Sequence, residues 1–323
     1  MALHRLTSVC IGVPNVADTA TYYEEFGLTR LDDSAGPRGD DPPRPPDRLE
    51  VRFATVDGGE QLRLVPSTRR QLVELGIGVD EPDDLHPVAS RLSGLGVDVK
   101  QTPAAISATD PGTGVRVVLS VADPLDSHPA PVIAQNAPGR PDRGTSRAEP
   151  ILRTNPVRPR KLGHVVLGST DLEASERFFI QGVGFKVSDK VPDTASFLRC
   201  STDHHNLLVQ AAPIPFLHHS SWQVDDVDEV GRGAHALLQK DPARHVWGLG
   251  RHHIGSNFFW YLKDPAGNFT EYYADMDCII DDQLWDPGVW TDLRALYNWG
   301  PPVPGPFLAP DDLAELMVAA HNP

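Results

Sequence analysis

The chain repeats itself, and that repeat limits its fold more than any other feature. KLGHVVLGSTDLEASERFF (161–179) lies over RLTSVCIGVPNVADTATYY (5–23) without a gap. WQVDDVDEVGRGAHALL (222–238) lies over IGVDEPDDLHPVASRLS (77–93), again without a gap. DPAGNFTEYY (264–273) lies over DPGTGVRVVLS (110–120) with at most one residue of slippage. Each half divides again into two strand–helix–three-strand units. One such unit cannot bury both faces of its sheet, whereas two together can curl eight strands around a cavity. The expectation is an α+β protein of two domains, each built from two βαβββ modules curling into a partly open barrel around a cavity. The boundaries read as residues 1–122 for the first domain, 123–160 for a linker, 161–278 for the second domain and 279–323 for a tail.

The first half illustrates the reading. Alternating and then continuous apolar residues predict a strand over 4–14. A helix follows over 16–26, capped by Asn15 and stopped by Gly27. Residues 36–47 are too rich in Pro and Gly for regular structure and predict an exposed loop. Strands are expected over 49–56 and 61–66 around a DGG turn, then over 71–79, 97–101, 104–108 and 115–121. A helix is expected over 83–94, with a Pro early in it. Residues 123–160 carry many Pro and polar residues with little periodicity, as a surface connector does. The tail is Pro-rich with scattered aromatics and ends in a short amphipathic helix near 310–320. Its expected place is over the second barrel or at a subunit contact.

The two halves also serve as controls for each other. His164 in the second half stands where the first has Ser8, and His219 stands where it has Glu74. Glu271 falls on Val117 or Val118, depending on the slippage. Three residues with metal-ligand chemistry thus change between halves while their surroundings persist. Nine of the 13 His lie between residues 164 and 253. The steps from His164 to His219 and from His219 to Glu271 are 55 and 52 residues, which places each on an equivalent strand of its module. Two imidazoles and one carboxylate on one face leave three cis positions open on a six-coordinate metal, the facial triad of non-haem Fe(II) chemistry with O2. His252 and Tyr261 read as acid/base partners of that centre. His218, His235, His245 and His253 read as ordinary partners or surface groups. The DPAGN segment at 264–268 reads as a turn, and the six Trp, all in the second half, read mostly as core.

Charge and composition narrow the function classes. The formal net charge of −15 disfavours non-specific binding to nucleic acid or an anionic membrane. No apolar run approaches the roughly 18 residues a membrane span needs, and the N-terminal residues lack the pattern of a signal peptide. The three Cys are far apart and form no CxxC pair, which fits a reducing cytoplasm.

The stretches GHVVLGSTDLEASERFF, DHHNLL, FLHHSSWQV and GRHHIGSNFFWYLKDPAGNFTEYYAD resemble the type I extradiol (catechol-cleaving) dioxygenases of the vicinal oxygen chelate superfamily. The specific motifs fall within about 161–275. The resemblance implies Fe(II), with Mn(II) as an occasional substitute, in the second barrel only. It implies His164, His219 and Glu271 as metal ligands. It implies His205 as the His that faces O2 and moves protons, with His252 and Tyr261 contacting the catechol oxygens. Each of His205 and His219 has a neighbouring His, His204 and His218, one residue from the matched position. The implied reaction joins a catechol-type aromatic with O2 to give a muconic-semialdehyde-type product, and the implied state is a homo-oligomer. In this resemblance the tail covers the active site, where Trp285, Trp290 or Trp299 would approach substrate. Glyoxalase-like isomerases or epimerases and non-catalytic small-molecule binders share the scaffold. His205, His252 and Tyr261 favour the dioxygenase over both.

Overall fold

The computed structural model describes residues 3–31 and 50–321, so the loop expected at 36–47 lies outside the described residues. The first module runs β1 (Leu3–Val13), α1 (Val16–Glu25), β2 (Thr29–Leu31), β3 (Val51–Ala54) and β4 (Glu60–Pro66). The second runs β5 (Gln71–Val79), α2 (Leu85–Gly94), β6 (Val99–Gln101), β7 (Ala105–Thr109) and β8 (Arg116–Val121). The connector carries a short ribbon, β9 (Asn136–Ala137) with β10 (Arg140–Pro141), and a single 3-10 turn at Glu149–Leu152. The third module runs β11 (Lys161–Ser169), α3 (Leu172–Glu176), β12 (Lys186–Val191), β13 (Ala195–Arg199) and β14 (Leu207–Ala211). The fourth runs β15 (Phe216–Gln223), α4 (Val227–Lys240), β16 (His245–Arg251), β17 (Phe258–Lys263) and β18 (Phe269–Ala274). In the tail, β19 (Gly288–Val289), α5 (Gly305–Leu308) and α6 (Leu313–His321) follow.

The sheet order is β2-β3-β4-β1-β5-β8-β7-β6 in the first half. Read from its far end, the second half has the same order, β12-β13-β14-β11-β15-β18-β17-β16, with β19 added outside β12. The two modules of a half meet through an antiparallel pair of their first strands, β1 with β5 and β11 with β15. Each first strand also pairs in parallel with the last strand of its own module. Among the described residues the end strands of each sheet do not pair with each other, which leaves each barrel partly open. Residues 162–169 of central β11 are all buried, which is why that strand is mostly apolar around His164.

Local chemistry explains the helix ends. Asn15 accepts from the Asp18 amide at 3.1 Å and so caps α1. Gly27 stands at φ +99°, where a side chain would be strained, and a Cβ there would come within 2.2 Å of the Val157 carbonyl. Pro87 is tolerated in α2 because it lies in the first turn, whose amides have no helical partner. The DPAGN turn has an internal reason: Asp264 accepts from the amides of Ala266 at 2.9 Å and Asn268 at 2.8 Å. Asp110 does the same in the first half, accepting from the Thr113 amide at 3.0 Å. The three-residue strand β2 was not predicted. Its sequence, TRL, is too short and too exposed to carry a periodic signal.

The halves hold each other through their helices. Phe26, at the end of α1, stacks on Tyr272 of β18 with ring centres 3.9 Å apart. The Tyr272 hydroxyl donates to the Phe26 carbonyl at 2.6 Å, and the Tyr22 hydroxyl meets Thr270. Arg91 of α2 donates to the carbonyls of Gly182 and Val183. The strand carrying Glu271 is therefore braced from outside by the first half. The connector lies along this pair, tied by Arg153 to Asp226 at 2.7 Å and by Arg160 to Asp57 at 3.1 Å.

Candidate metal centre and active site

Strand register decides the comparison between halves. Ser221 pairs with Glu271 as Gly76 pairs with Val118, and Ser221 pairs with His164 as Gly76 pairs with Ser8. Glu271 therefore corresponds to Val118, not Val117. In the first half Glu74, the counterpart of His219, is held by Arg63 at 3.1 Å and Arg116 at 3.0 Å.

Residues from five strands face one interior. His164 comes from β11, Phe197 from β13, Leu208 from β14, His219 from β15 and Tyr261 from β17. This shared cavity is of about 120 Å³. A bulge shapes its floor: Val166 pairs with His219 and Leu167 with Leu217, so His218 is the extra residue. In an unbroken strand His218 and His219 would point to opposite faces. With the bulge, and with Phe307 of the tail packed on His218, both lie inside, 4% and 5% exposed, with their rings 5.0 Å apart. The first half has the same bulge, with Val73 as its extra residue.

His164, His219 and Glu271 converge, and all three are buried. Nε2 of His164 lies 3.1 Å from Oε2 of Glu271. Nε2 of His219 lies 3.6 Å from the same oxygen and 3.4 Å from Nε2 of His164. The circle through these three atoms has a radius of about 2.0 Å, close to an ordinary metal–nitrogen or metal–oxygen distance. Oε2 of Glu271 is fully buried and has no hydrogen-bond donor. A buried carboxylate oxygen facing two imidazole nitrogens is costly unless a cation neutralises it. The donor set thus fits a divalent metal, with Oε1 of Glu271 held separately by the Asn257 amide at 3.2 Å.

The hydrogen bonds fix which ring nitrogens are free. Nε2 of His218 lies 2.6 Å from the Phe307 carbonyl, which can only accept, so that nitrogen carries the proton. Its Nδ1 then accepts from Nδ1 of His219 at 2.8 Å, leaving Nε2 of His219 bare towards Glu271. Burial pushes His218 down to about 4 and holds His219 and His205 well below the usual imidazole range.

Beside the triad, Nδ1 of His252 donates to the Leu296 carbonyl at 2.6 Å. Its Nε2 therefore accepts from the Tyr261 hydroxyl at 2.9 Å. Burial lowers His252, and burial with the nearby Glu271 raises Tyr261 well above its ordinary value, so both are neutral near pH 7. The His205 ring centre is 4.3 Å from that of His164. Nδ1 of His205 is 3.1 Å from Nδ1 of His204, whose Nε2 is 3.3 Å from the Asp189 carboxylate. Five of the six sequence-predicted site residues line the cavity, and the sixth, Glu271, meets His164 and His219 beside it.

Other expectations are corrected. Of the two readings of His218, partner or surface group, its place is that of a buried partner, joined to His219 at the cavity wall. His235 and His245 are exposed as expected, and His253 packs on Trp290 with ring centres 4.6 Å apart. The tail does cover the cavity, but through Ala295, Leu296, Phe307 and Leu308. Trp285, Trp290 and Trp299 do not line it; Trp285 instead packs on His204 and donates to the Ser188 carbonyl at 2.8 Å. Asn257, Leu296 and Phe307 were missed. Asn257 alone left a sequence signal, a polar residue between GS and the apolar run FFWYL.

A family model described as the Glyoxalase/Bleomycin resistance protein/Dioxygenase superfamily matches residues 161–272. Metapyrocatechase 2 from Cupriavidus necator is 31% identical over 314 residues, covering 95% of this chain and 92% of that relative. A manganese-dependent 2,3-dihydroxybiphenyl 1,2-dioxygenase from Geobacillus genomosp. 3 is 25% identical over 271 residues, covering 79% and 83%. Homoprotocatechuate 2,3-dioxygenase from Arthrobacter globiformis superposes with a TM-score of 0.72 at 16% identity, covering 95% of this chain and 91% of that one, a likeness of fold. The repeated βαβββ architecture, the converging triad and the near full-length relative agree: the chain belongs to the extradiol dioxygenases of the Glyoxalase/Bleomycin resistance protein/Dioxygenase superfamily.

Proposed function

We propose that this protein is an extradiol ring-cleaving dioxygenase that opens a catechol-type aromatic with O2, giving a muconic-semialdehyde-type product. The observation that carries the reading is the buried His164–His219–Glu271 triad with the His252–Tyr261 pair and His205 around the same cavity. The triad would hold Fe(II), with Mn(II) able to take its place. When bound, the ion supplies a site for both catechol oxygens and for O2 and a path for electrons between them.

The side chains have separable tasks. His252, with its proton on Nδ1 towards the Leu296 carbonyl, presents a bare Nε2 that would take a catechol proton and then donate to the ionised oxygen, with the Tyr261 hydroxyl beside it as a second donor. His205 is neutral because it is buried, so it first takes a proton and later returns it. With the His204 proton on Nε2 towards Asp189, its Nδ1 accepts from Nδ1 of His205 and leaves Nε2 of His205 bare to take the proton. Val166, Phe197, Leu208 and Ile254 keep water from the ring.

The cavity also bears on the substrate. Its volume of about 120 Å³ is small against the roughly 300–1,000 Å³ of ordinary ligand pockets. No Lys or Arg is among its lining residues, and Gln210 is its one amide. A single-ring catechol with a small uncharged substituent fits these walls better than a carboxylated or two-ring one. The division into 1–122, 123–160, 161–278 and 279–323 accompanies this reading, with the metal only in the third part. So do a cytoplasmic location, a homo-oligomeric state and no nucleic-acid or membrane partner. The free Cys10, Cys200 and Cys278 support a reducing compartment. Among the described residues no helix is long and apolar enough to cross a membrane.

The test is direct. Protein loaded with Fe(II) without air, mixed with a panel of catechols and then aerated, is expected to consume O2 and form a yellow ring-fission product. Absence of oxygen uptake across the panel would overturn the reading in favour of an isomerase or a binding protein.

A further inference from the structure

We propose that His218 is a positioning residue that keeps the ligand nitrogen of His219 bare, and that the C-terminal segment holds it in place. This rests on the reading of His219 as a metal ligand. The alternative proton placement explains the need. Nε2 of His219 stands 3.6 Å from a buried carboxylate oxygen, so an unguided imidazole gains electrostatically by carrying its proton on that nitrogen, beside the charge of Glu271. That arrangement would remove the lone pair a metal requires. The Nδ1–Nδ1 contact at 2.8 Å opposes it, because His218 offers an acceptor only where His219 must carry its proton.

His218 can offer that acceptor only while its own proton stays on Nε2. The Phe307 carbonyl, 2.6 Å away on the short helix α5, secures this. Phe307 is itself seated, its ring centre 4.8 Å from that of His218 and 4.7 Å from that of Tyr261. Arg70 then links the tail to the strand that bears His218. It is 5% exposed and donates to the Leu217 carbonyl at 2.8 Å. It also holds Asp312 of the tail with two bonds, at 2.5 and 2.7 Å. The first half, which lacks a triad, thus contributes one residue that fixes the tail against the triad of the second.

The two functions of the His218 ring can be separated. His218→Asn places an amide oxygen where Nδ1 was and keeps the acceptor for His219. His218→Gln reaches the Phe307 carbonyl but loses that acceptor, and His218→Leu loses both. The readouts are the Mn(II) dissociation constant of the full-length protein, from the free-ion electron paramagnetic resonance signal, and the His219 proton position in metal-free protein, from ¹⁵N NMR. The Asn variant is expected to bind within about threefold of the native protein, and the Gln and Leu variants about 10–100-fold more weakly. His219 is expected to keep its Nδ1 proton in the Asn variant and to lose it in part in the other two. Asp312→Asn is expected to weaken Mn(II) binding at least about twofold. Native-like affinity and an unchanged His219 spectrum in the Gln and Leu variants would overturn the proposal. If the Leu variant does not fold, the contrast of Asn with Gln decides alone. A native protein that takes up no Mn(II) would overturn the ligand reading itself, a result distinct from native binding that His218 does not influence.

Discussion

Replacing Glu271 with Gln is expected to move the metal-free and the metal-loaded protein in opposite directions. In the metal-free protein the carboxylate is fully buried, and only Oε1 has a donor, Asn257 at 3.2 Å. A buried charge left without its partner costs about 3–5 kcal/mol. The charge-assisted bond from Asn257 returns about 1.5–3 kcal/mol of that. Gln keeps a carbonyl for Asn257 and turns an N–H towards the bare Nε2 of His219. The metal-free variant is therefore expected to be more stable than the native protein by about 2 kcal/mol. A divalent metal at one hundred times its dissociation constant stabilises the native fold by about 2.7 kcal/mol. The variant, lacking the anionic ligand, is expected to gain almost nothing. Urea denaturation with a chelator and again with excess Mn(II), for both proteins, measures all four quantities. A variant that is less stable than native without metal, or that gains as much from Mn(II), would refute the assignment of Glu271 as a charged ligand.

Three further outcomes follow from the site. His205→Ala is expected to lower turnover by about 10²–10⁴-fold with metal content unchanged, since the role proposed for His205 is to handle protons and not to ligate; steady-state rates with metal analysis check this. Tyr261→Phe removes the hydroxyl that donates to His252 at 2.9 Å. It is expected to reduce kcat about tenfold, close to the value of one hydrogen bond, while leaving the fold and the metal content intact. Acid is expected to destabilise the metal-free protein through His218, whose folded value of about 4 lies below the ordinary 6.5. Between those pH values the unfolded chain binds a proton that the folded chain refuses, so stability falls as pH drops through that window, by up to about 3 kcal/mol. Denaturation midpoints at pH 7, 6 and 5 should show a shallower fall in His218→Gln than in the native protein.

Much of this molecule is legible in its sequence because duplication writes the scaffold twice. Ser8 beside His164 and Glu74 beside His219 mark chemistry against a constant background. Even the one-residue uncertainty at Glu271 is a matter of register, which the pairing of Ser221 and Gly76 resolves. His218 escaped for a physical reason: alternation along a strand sends it outwards, and it takes a bulge in β15 together with the distant Phe307 to bury it. Leu296 and Phe307 act through carbonyl groups, which every residue possesses, so no side-chain pattern could mark them. The Trp residues of the tail misled because large aromatics are conspicuous in sequence wherever they pack. Arg70 and Asp312 are 242 residues apart, and nothing local in either segment announces the other.

The bulge at Val73 shows that the first barrel still has the backbone of a metal centre. Its ladder aligns Ser8, Gly76 and Val118 as the second aligns His164, Ser221 and Glu271. What opposes a cation there is charge: Arg63 and Arg116 surround Glu74, with Arg63 standing where the second barrel has Leu208. For an engineer, this makes the first half a latent host. Rewriting Ser8, Glu74 and Val118 as His, His and Glu, with both arginines neutralised, would ask only for new side chains on an inherited frame.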